Sequence, residues 1–250
     1  MDIDQQTLTL AAIFVFVGAL YACIGHAGAS GYLAVMALAG VAPDEMRPTA
    51  LAVNVAVAAI AFTQFMRAGH FSWGLTWPFL LAAPPAAFLG AAIPLSTRGV
   101  SLTVGIALCV SAAKMAWDLR GTARAPKSHP SPPSIGVALP AGASIGVVAG
   151  LTGTGGGIFL SPLMLMLRWA DPKQVAATSA LFILANSIAG LGGLAVEGWI
   201  PHGSLLILVA AGAIGGAIGA HVGSRRLAST TLRAIVAVVI FAAGVKLVAL

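Results

Sequence analysis

Long apolar runs separated by short polar breaks make up almost the whole chain. They fall at roughly 8–24, 29–41, 49–66, 73–95 and 100–118, and again at 135–152, 157–169, 175–195, 203–224 and 230–249. The longest hydrophilic stretch lies between the two sets. It covers 119–134, with Arg120, Arg124, Lys127, His129 and the prolines from Pro126 to Pro133. About 20 apolar residues are needed for a helix to cross a bilayer. The pattern therefore predicts an all-α polytopic membrane protein with five helical elements in each half. The halves are 1–118 and 135–250, joined by a cytoplasmic linker over 119–134.

Two runs are too short to cross. As helices, 29–41 and 157–169 extend about 20 Å, against a hydrocarbon layer about 30 Å thick. Glycines stand at the start of each: Gly25, Gly28 and Gly31 in one half, Gly153, Gly155, Gly156 and Gly157 in the other. Four glycines in five residues hold a helix poorly. Both runs are expected to be broken helices whose N-termini stop near the midplane, where non-helical backbone persists only if buried or lining a wet cavity.

The halves also align at one nearly constant offset. Gly25-His26-Ala27-Gly28-Ala29 meets Gly153-Thr154-Gly155-Gly156-Gly157, and Pro48-Thr49-Ala50 meets Ala177-Thr178-Ser179. Gly69, Gly74 and Gly90 meet Gly198, Gly203 and Gly219. If all runs change sides and the N-terminus lies outside, the inner side receives Arg67, Lys114, Arg120, Arg124, Lys127, Arg168, Lys173, Arg225, Arg226 and Arg233. The outer side receives only Arg47, Arg98 and Lys246. That bias follows the positive-inside rule and predicts both termini outside. Counting each glycine-interrupted pair as one broken crossing is the weaker alternative, because it puts either the linker or Arg225-Arg226 outside. An odd number of elements per half makes the second half an inverted copy of the first, an architecture frequent in secondary transporters.

Composition narrows the function. The chain is 59% hydrophobic and 8% charged, with a mean hydropathy of +0.98. A soluble domain carries about a quarter charged residues, so a soluble enzyme is excluded. The net charge of +6 reads as basic loops rather than nucleic-acid binding. Residues 1–6 have no basic n-region, so the first run is expected to stay as a membrane helix rather than be cleaved as a signal. Cys23 and Cys109 lie in apolar segments without a metal or CxxC spacing.

The candidate chemistry follows from the two loops. A helix N-terminus offers unpaired N–H groups and a partial positive charge, and glycine lets an anion approach them. Gly25, Gly28 and Gly153 to Gly157 are the candidate contacts. Thr49, Asn54, Thr178, Ser179 and Asn186 are expected to line the helices that follow, and His26 and Thr154 sit inside the loops. His26 could carry a proton near neutral pH. The acids Asp44, Glu45, Asp118, Asp171 and Glu197 lie at segment ends, so no carboxylate relay is expected, nor a buried lysine or arginine. Gly212, Gly215, Gly216, Gly219 and Gly223 lie on one helix at packing intervals. That face could also meet a second copy, so a homodimer is compatible.

Gly153-Thr154-Gly155-Gly156-Gly157 followed by Ile158-Phe159-Leu160-Ser161-Pro162, then Ala177-Thr178-Ser179-Ala180 with Asn186-Ser187, then Gly215 and Gly219 before Arg225-Arg226, together resemble the sulfite exporter TauE/SafE family, also called the 4-toluene sulfonate uptake permease family. The resemblance spans nearly the whole chain. It departs in the first half, where His26, Ala27 and Ala29 replace glycine-rich sequence. It implies an inner-membrane carrier for sulfur-containing anions such as sulfite, sulfoacetate or other organosulfonates. No G-x-x-x-x-G-K-S/T loop is present, so a gradient, with protons as one candidate, is expected to drive transport without a cofactor or enzymatic step. A passive anion channel and a thiol–disulfide carrier using Cys23 and Cys109 are the alternatives.

Overall fold

The computed structural model describes residues 5–93, 131–201 and 203–226, with isolated positions within 96–116 and 241–248. Most of the fifth element of each half and most of the linker lie outside the described residues. Eight helices are traced through the described residues: α1 (Gln5–Ala22), α2 (Ala29–Leu38), α3 (Pro43–Arg67), α4 (Trp73–Ala91), α5 (Ile135–Thr152), α6 (Gly157–Met166), α7 (Pro172–Val196) and α8 (Leu205–Arg226). Six of them are long and apolar enough to cross a membrane. The short ones, α2 and α6, have ten residues each, or about 15 Å. No strand occurs among the described residues.

Glycines set how the long helices pair. Gly215 and Gly219 of α8 lie against the backbone of Val15 and Ala19 in α1, and Gly223 against Cys23 just after it. The contacts advance together, so these helices run parallel. Gly142, Gly146 and Gly150 of α5 meet Phe79, Ala83 and Ala87 of α4 in the same way. Helices in lipid gain stability from such close approach rather than from excluding water, and a Cα–H facing a carbonyl adds a weak bond. Gly212 and Gly216 also meet Val53 and Val57, so α3 runs parallel to α8.

The short helices turn back. The Gln6 Nε2 donates to the Ala39 carbonyl at 2.9 Å, which brings the end of α2 beside the start of α1. The Ser131 N–H reaches the Arg168 carbonyl at 3.2 Å, which does the same for α5 and α6. Each pair is therefore a hairpin with a glycine loop at its tip. Each short helix runs opposite to the one before it, as elements that change sides in turn require, and neither pair is one broken crossing. The positions of the other loops are unaffected, because a hairpin returns the chain to the end it left.

Two large apolar clusters form among the described residues, with two small ones beside them. One joins the α1–α2 hairpin to α3 and α8, around Phe14 and Tyr32, whose ring centroids lie 4.4 Å apart. The other joins the α5–α6 hairpin to α4 and α7, around Phe79, Leu160, Met164 and Phe182. Outward-facing apolar residues such as Leu89 (65% exposed) and Leu206 (77%) suit a lipid solvent and not water. The chain is a multi-pass membrane protein.

Candidate functional site

The first loop begins as a helix stop. The His26 N–H bonds the Tyr21 carbonyl and the Gly25 N–H bonds the Ala22 carbonyl, each at 3.1 Å. This is the Schellman arrangement, with Gly25 at φ +77° in the left-handed position. A Cβ at Gly25 would overlap the backbone of Ala176 at the start of α7. The chain then reaches Gly28, the residue before α2, at φ +100°, beneath the Tyr32 ring. The second loop leaves α5 through Gly153 at φ +72° and enters α6 through Gly155 and Gly156 at φ +71° and +83°. Neither Gly28 nor Gly156 has a side chain to cap the helix it precedes, so the first N–H groups of α2 and α6 stay uncapped.

Two asparagines hold the second loop. Asn54 of α3 donates from Nδ2 to the Thr154 carbonyl at 3.5 Å, and Asn186 of α7 donates to the Gly155 carbonyl at 3.4 Å. In a trans peptide the N–H points opposite to the C=O. Fixing those carbonyls turns the N–H groups of Gly155 and Gly156 the other way. Among the described residues no acceptor reaches the N–H of Gly155, Gly156 or Gly157. All three glycines are buried. The Asn54 Oδ1, Asn186 Oδ1 and Ser187 Oγ atoms are also buried without partners. Buried polar groups are normally satisfied, so this cluster is unusual.

His26 links the two hairpins. Its Nε2 lies 3.0 Å from the Gly157 carbonyl and 2.8 Å from Ser161 Oγ. A carbonyl only accepts, so Nε2 carries a hydrogen. Ser161 Oγ lies 2.6 Å from Ser179 Oγ. A chain of exchangeable hydrogens thus runs from a partly exposed imidazole, through α6, to α7.

Other predicted residues are placed differently. Thr178 pairs with Thr76 of α4 at 2.9 Å rather than with a loop residue. Thr49 is buried with an unpartnered hydroxyl. Thr154 pairs with Thr152 at 2.8 Å. Gly155, Gly156 and Gly157 have no space for a Cβ against Asn54, Phe182 and Ile183, so close packing requires these glycines as well as any ligand.

One expectation is overturned. A buried cation exists: Arg47 is 7% exposed and donates to the Ala91 carbonyl at 3.3 Å and the Gly150 carbonyl at 3.0 Å. It sits beside Gly153, with Nε unpartnered and no carboxylate partner among the described residues. Those carbonyls end α4 and α5, where helix dipoles are negative, and this offsets the cost of burying the charge. In the sequence Arg47 looks like a loop residue at the head of a run, because the helix ends that bury it come from elsewhere. Ser161 was also missed, although its place one turn after Gly157 was a usable signal.

Comparison with known proteins bears on this arrangement. The family model described as Sulfite exporter TauE/SafE matches residues 10–247. A probable membrane transporter protein of Sinorhizobium fredii, y4hK, is 41% identical over 249 residues, covering 98% of this chain and 99% of that protein. A probable membrane transporter protein of Bacillus subtilis, YunE, is 30% identical over 115 residues, or 46% of this chain and 41% of that protein. No solved structure matches the chain. The family match along almost the full length and the relative at 41% identity agree: the chain belongs to the sulfite exporter TauE/SafE family.

Proposed function

We propose that the chain is a secondary transporter of small sulfur oxyanions, sulfite or an organosulfonate, working by alternating access in the cell inner membrane. The observation that carries this reading is the asparagine clamp, which leaves buried N–H groups of Gly155 and Gly156 without acceptors. An oxyanion satisfies such groups, and helix starts favour negative charge. The family description names sulfite export, which supplies the substrate class. The unpartnered hydroxyl of Ser187, beside Gly155, adds a donor nearby.

The same reading takes the two halves as inverted repeats. Gly90 of α4 lies on the Val147 carbonyl, and Gly219 of α8 lies on the Ala19 carbonyl. Gly153 meets Arg47, and Gly25 meets Ala176. Each contact maps on its partner by the offset that aligns the sequences. The hairpins return to opposite ends of the bundle, and alternating access is the rocking of one core against the other around their tips. Basic residues put both termini outside and the linker in the cytoplasm. The chain from His26 to Ser179 offers a route for a coupled proton.

Counterflow of labelled sulfite, thiosulfate, sulfoacetate and taurine in proteoliposomes, at two pH values, tests the reading. Saturable exchange of at least one sulfur oxyanion is expected, faster with a proton gradient and losing that dependence in His26→Gln. Flux without counterflow would favour a passive channel, and no flux of any sulfur anion would contradict the substrate class.

A further inference from the structure

At the Arg226 end of the bundle, the last turns of α3 and α8 part around a cleft of about 910 Å³. Arg67 and His70 line one wall, and His221 and Arg225 the other, with no carboxylate among the lining residues. The Ser224 carbonyl, near the end of α8, accepts from His70 Nε2 and from Lys173 Nζ, each at 3.3 Å. That carbonyl is therefore already engaged and does not compete for the arginines. Arg67, His221 and Arg225 are exposed, and neither arginine has an ion-pair partner among the described residues. Two unpaired guanidiniums facing one cleft repel each other, and an anion between them removes that cost.

Part of the α8 wall is apolar. Ile218 and Val222 line the cleft and continue a stripe from Ile214, at one-turn spacing along the outer face of α8. The three are 56%, 40% and 56% exposed for Ile218, Val222 and Ile214. A cationic cleft that opens onto an exposed apolar stripe at the end of a membrane helix matches an amphiphile with an anionic head. A small transported anion would have no use for the stripe. We infer that this cleft holds the headgroup phosphate of an anionic phospholipid between Arg67 and Arg225, with an acyl chain along Ile214, Ile218 and Val222. The site is separate from the glycine loops and does not depend on which anion is transported.

The test uses the full chain in nanodiscs of phosphatidylcholine, with and without phosphatidylglycerol, read by thermal unfolding and by lipid retained in native mass spectrometry. Phosphatidylglycerol is expected to raise the melting temperature and to stay bound. Arg67→Gln with Arg225→Gln should melt no lower than the native chain in phosphatidylcholine alone and lose most of that rise. Should the double variant not fold, Arg225→Gln alone, at an exposed helix end, should lose at least half of it. Inorganic phosphate added to phosphatidylcholine discs should give no rise. An undiminished rise in the arginine variants would overturn the site, and so would an equal rise with phosphate alone, which would make it a free-anion site.

Discussion

Left-handed backbone at Gly25 stops α1, aims His26 at the second hairpin and lets α7 approach within van der Waals overlap of any Cβ. Gly25→Ala adds a strain of about 1 kcal/mol for the left-handed position to a clash with Ala176 backbone, so it should lower stability by well over that or abolish assembly. Arg168 shows the converse. It stops α6 at φ +55°, in the place where Gly40 stops α2 at φ +75°, and Arg168→Gly should raise stability by up to about 1 kcal/mol. Melting of both variants in one detergent checks the pair of signs. These positions also show what single residues disclose. Gly69 and Gly198, which align between the halves, are helix stops with open space where a methyl group would stand, whereas Gly155 to Gly157 lie in the clamped loop. Sequence identity does not separate the two uses. Thr178 points to Thr76 rather than to the loop because its partner comes from α4, and Arg47 is buried by the ends of α4 and α5. Neither fact is local to the chain.

Helix existence and shortness were legible from hydropathy and glycine position, since a ten-residue apolar helix falls well short of a crossing. The direction of α2 and α6, each opposite to the helix before it, followed from the charge bias of the loops and not from periodicity. Periodicity reports the environment of a helix face, and both a crossing and a returning helix are apolar all round. The turn-back rests on contacts such as Gln6 to Ala39. Gln6→Cys with Ala39→Cys, in a background with Cys23 and Cys109 changed to Ser, should therefore cross-link readily within one molecule on mild oxidation. Failure to cross-link while the protein remains folded would place the end of α2 away from the start of α1. The same cysteine-free background should keep its transport, and loss of transport there would revive a thiol-based mechanism.

At the scale of the molecule, two hairpin cores meet at the glycine tips, and the parallel pairing of α1 with α8 and of α4 with α5 ties each half to the other. Aligned glycines and threonines suggest a duplication, but the pairing of α1 with α8 and of α4 with α5 was not visible, because no local pattern encodes which helix a glycine stripe will meet. Ala68, after α3, and Glu197, after α7, are exposed. Ala68→Cys should react with an impermeant thiol reagent only from the cytoplasmic side and Glu197→Cys only from the opposite side, in the cysteine-free background. The central claim is that backbone N–H groups held by Asn54 and Asn186 bind the transported anion. A glycine substitution would test packing and binding together, since Gly156 has no room beside Phe182 and Ile145. The most direct measurement is sulfite counterflow by Asn54→Ala with Asn186→Ala, beside Thr76→Val, which removes a buried hydroxyl that bonds no loop glycine. Releasing the two carbonyls is expected to cut exchange at least tenfold, about 1.4 kcal/mol, in a protein that remains folded, while Thr76→Val exchanges at close to the native rate. Native-rate exchange by the double asparagine variant would contradict the account.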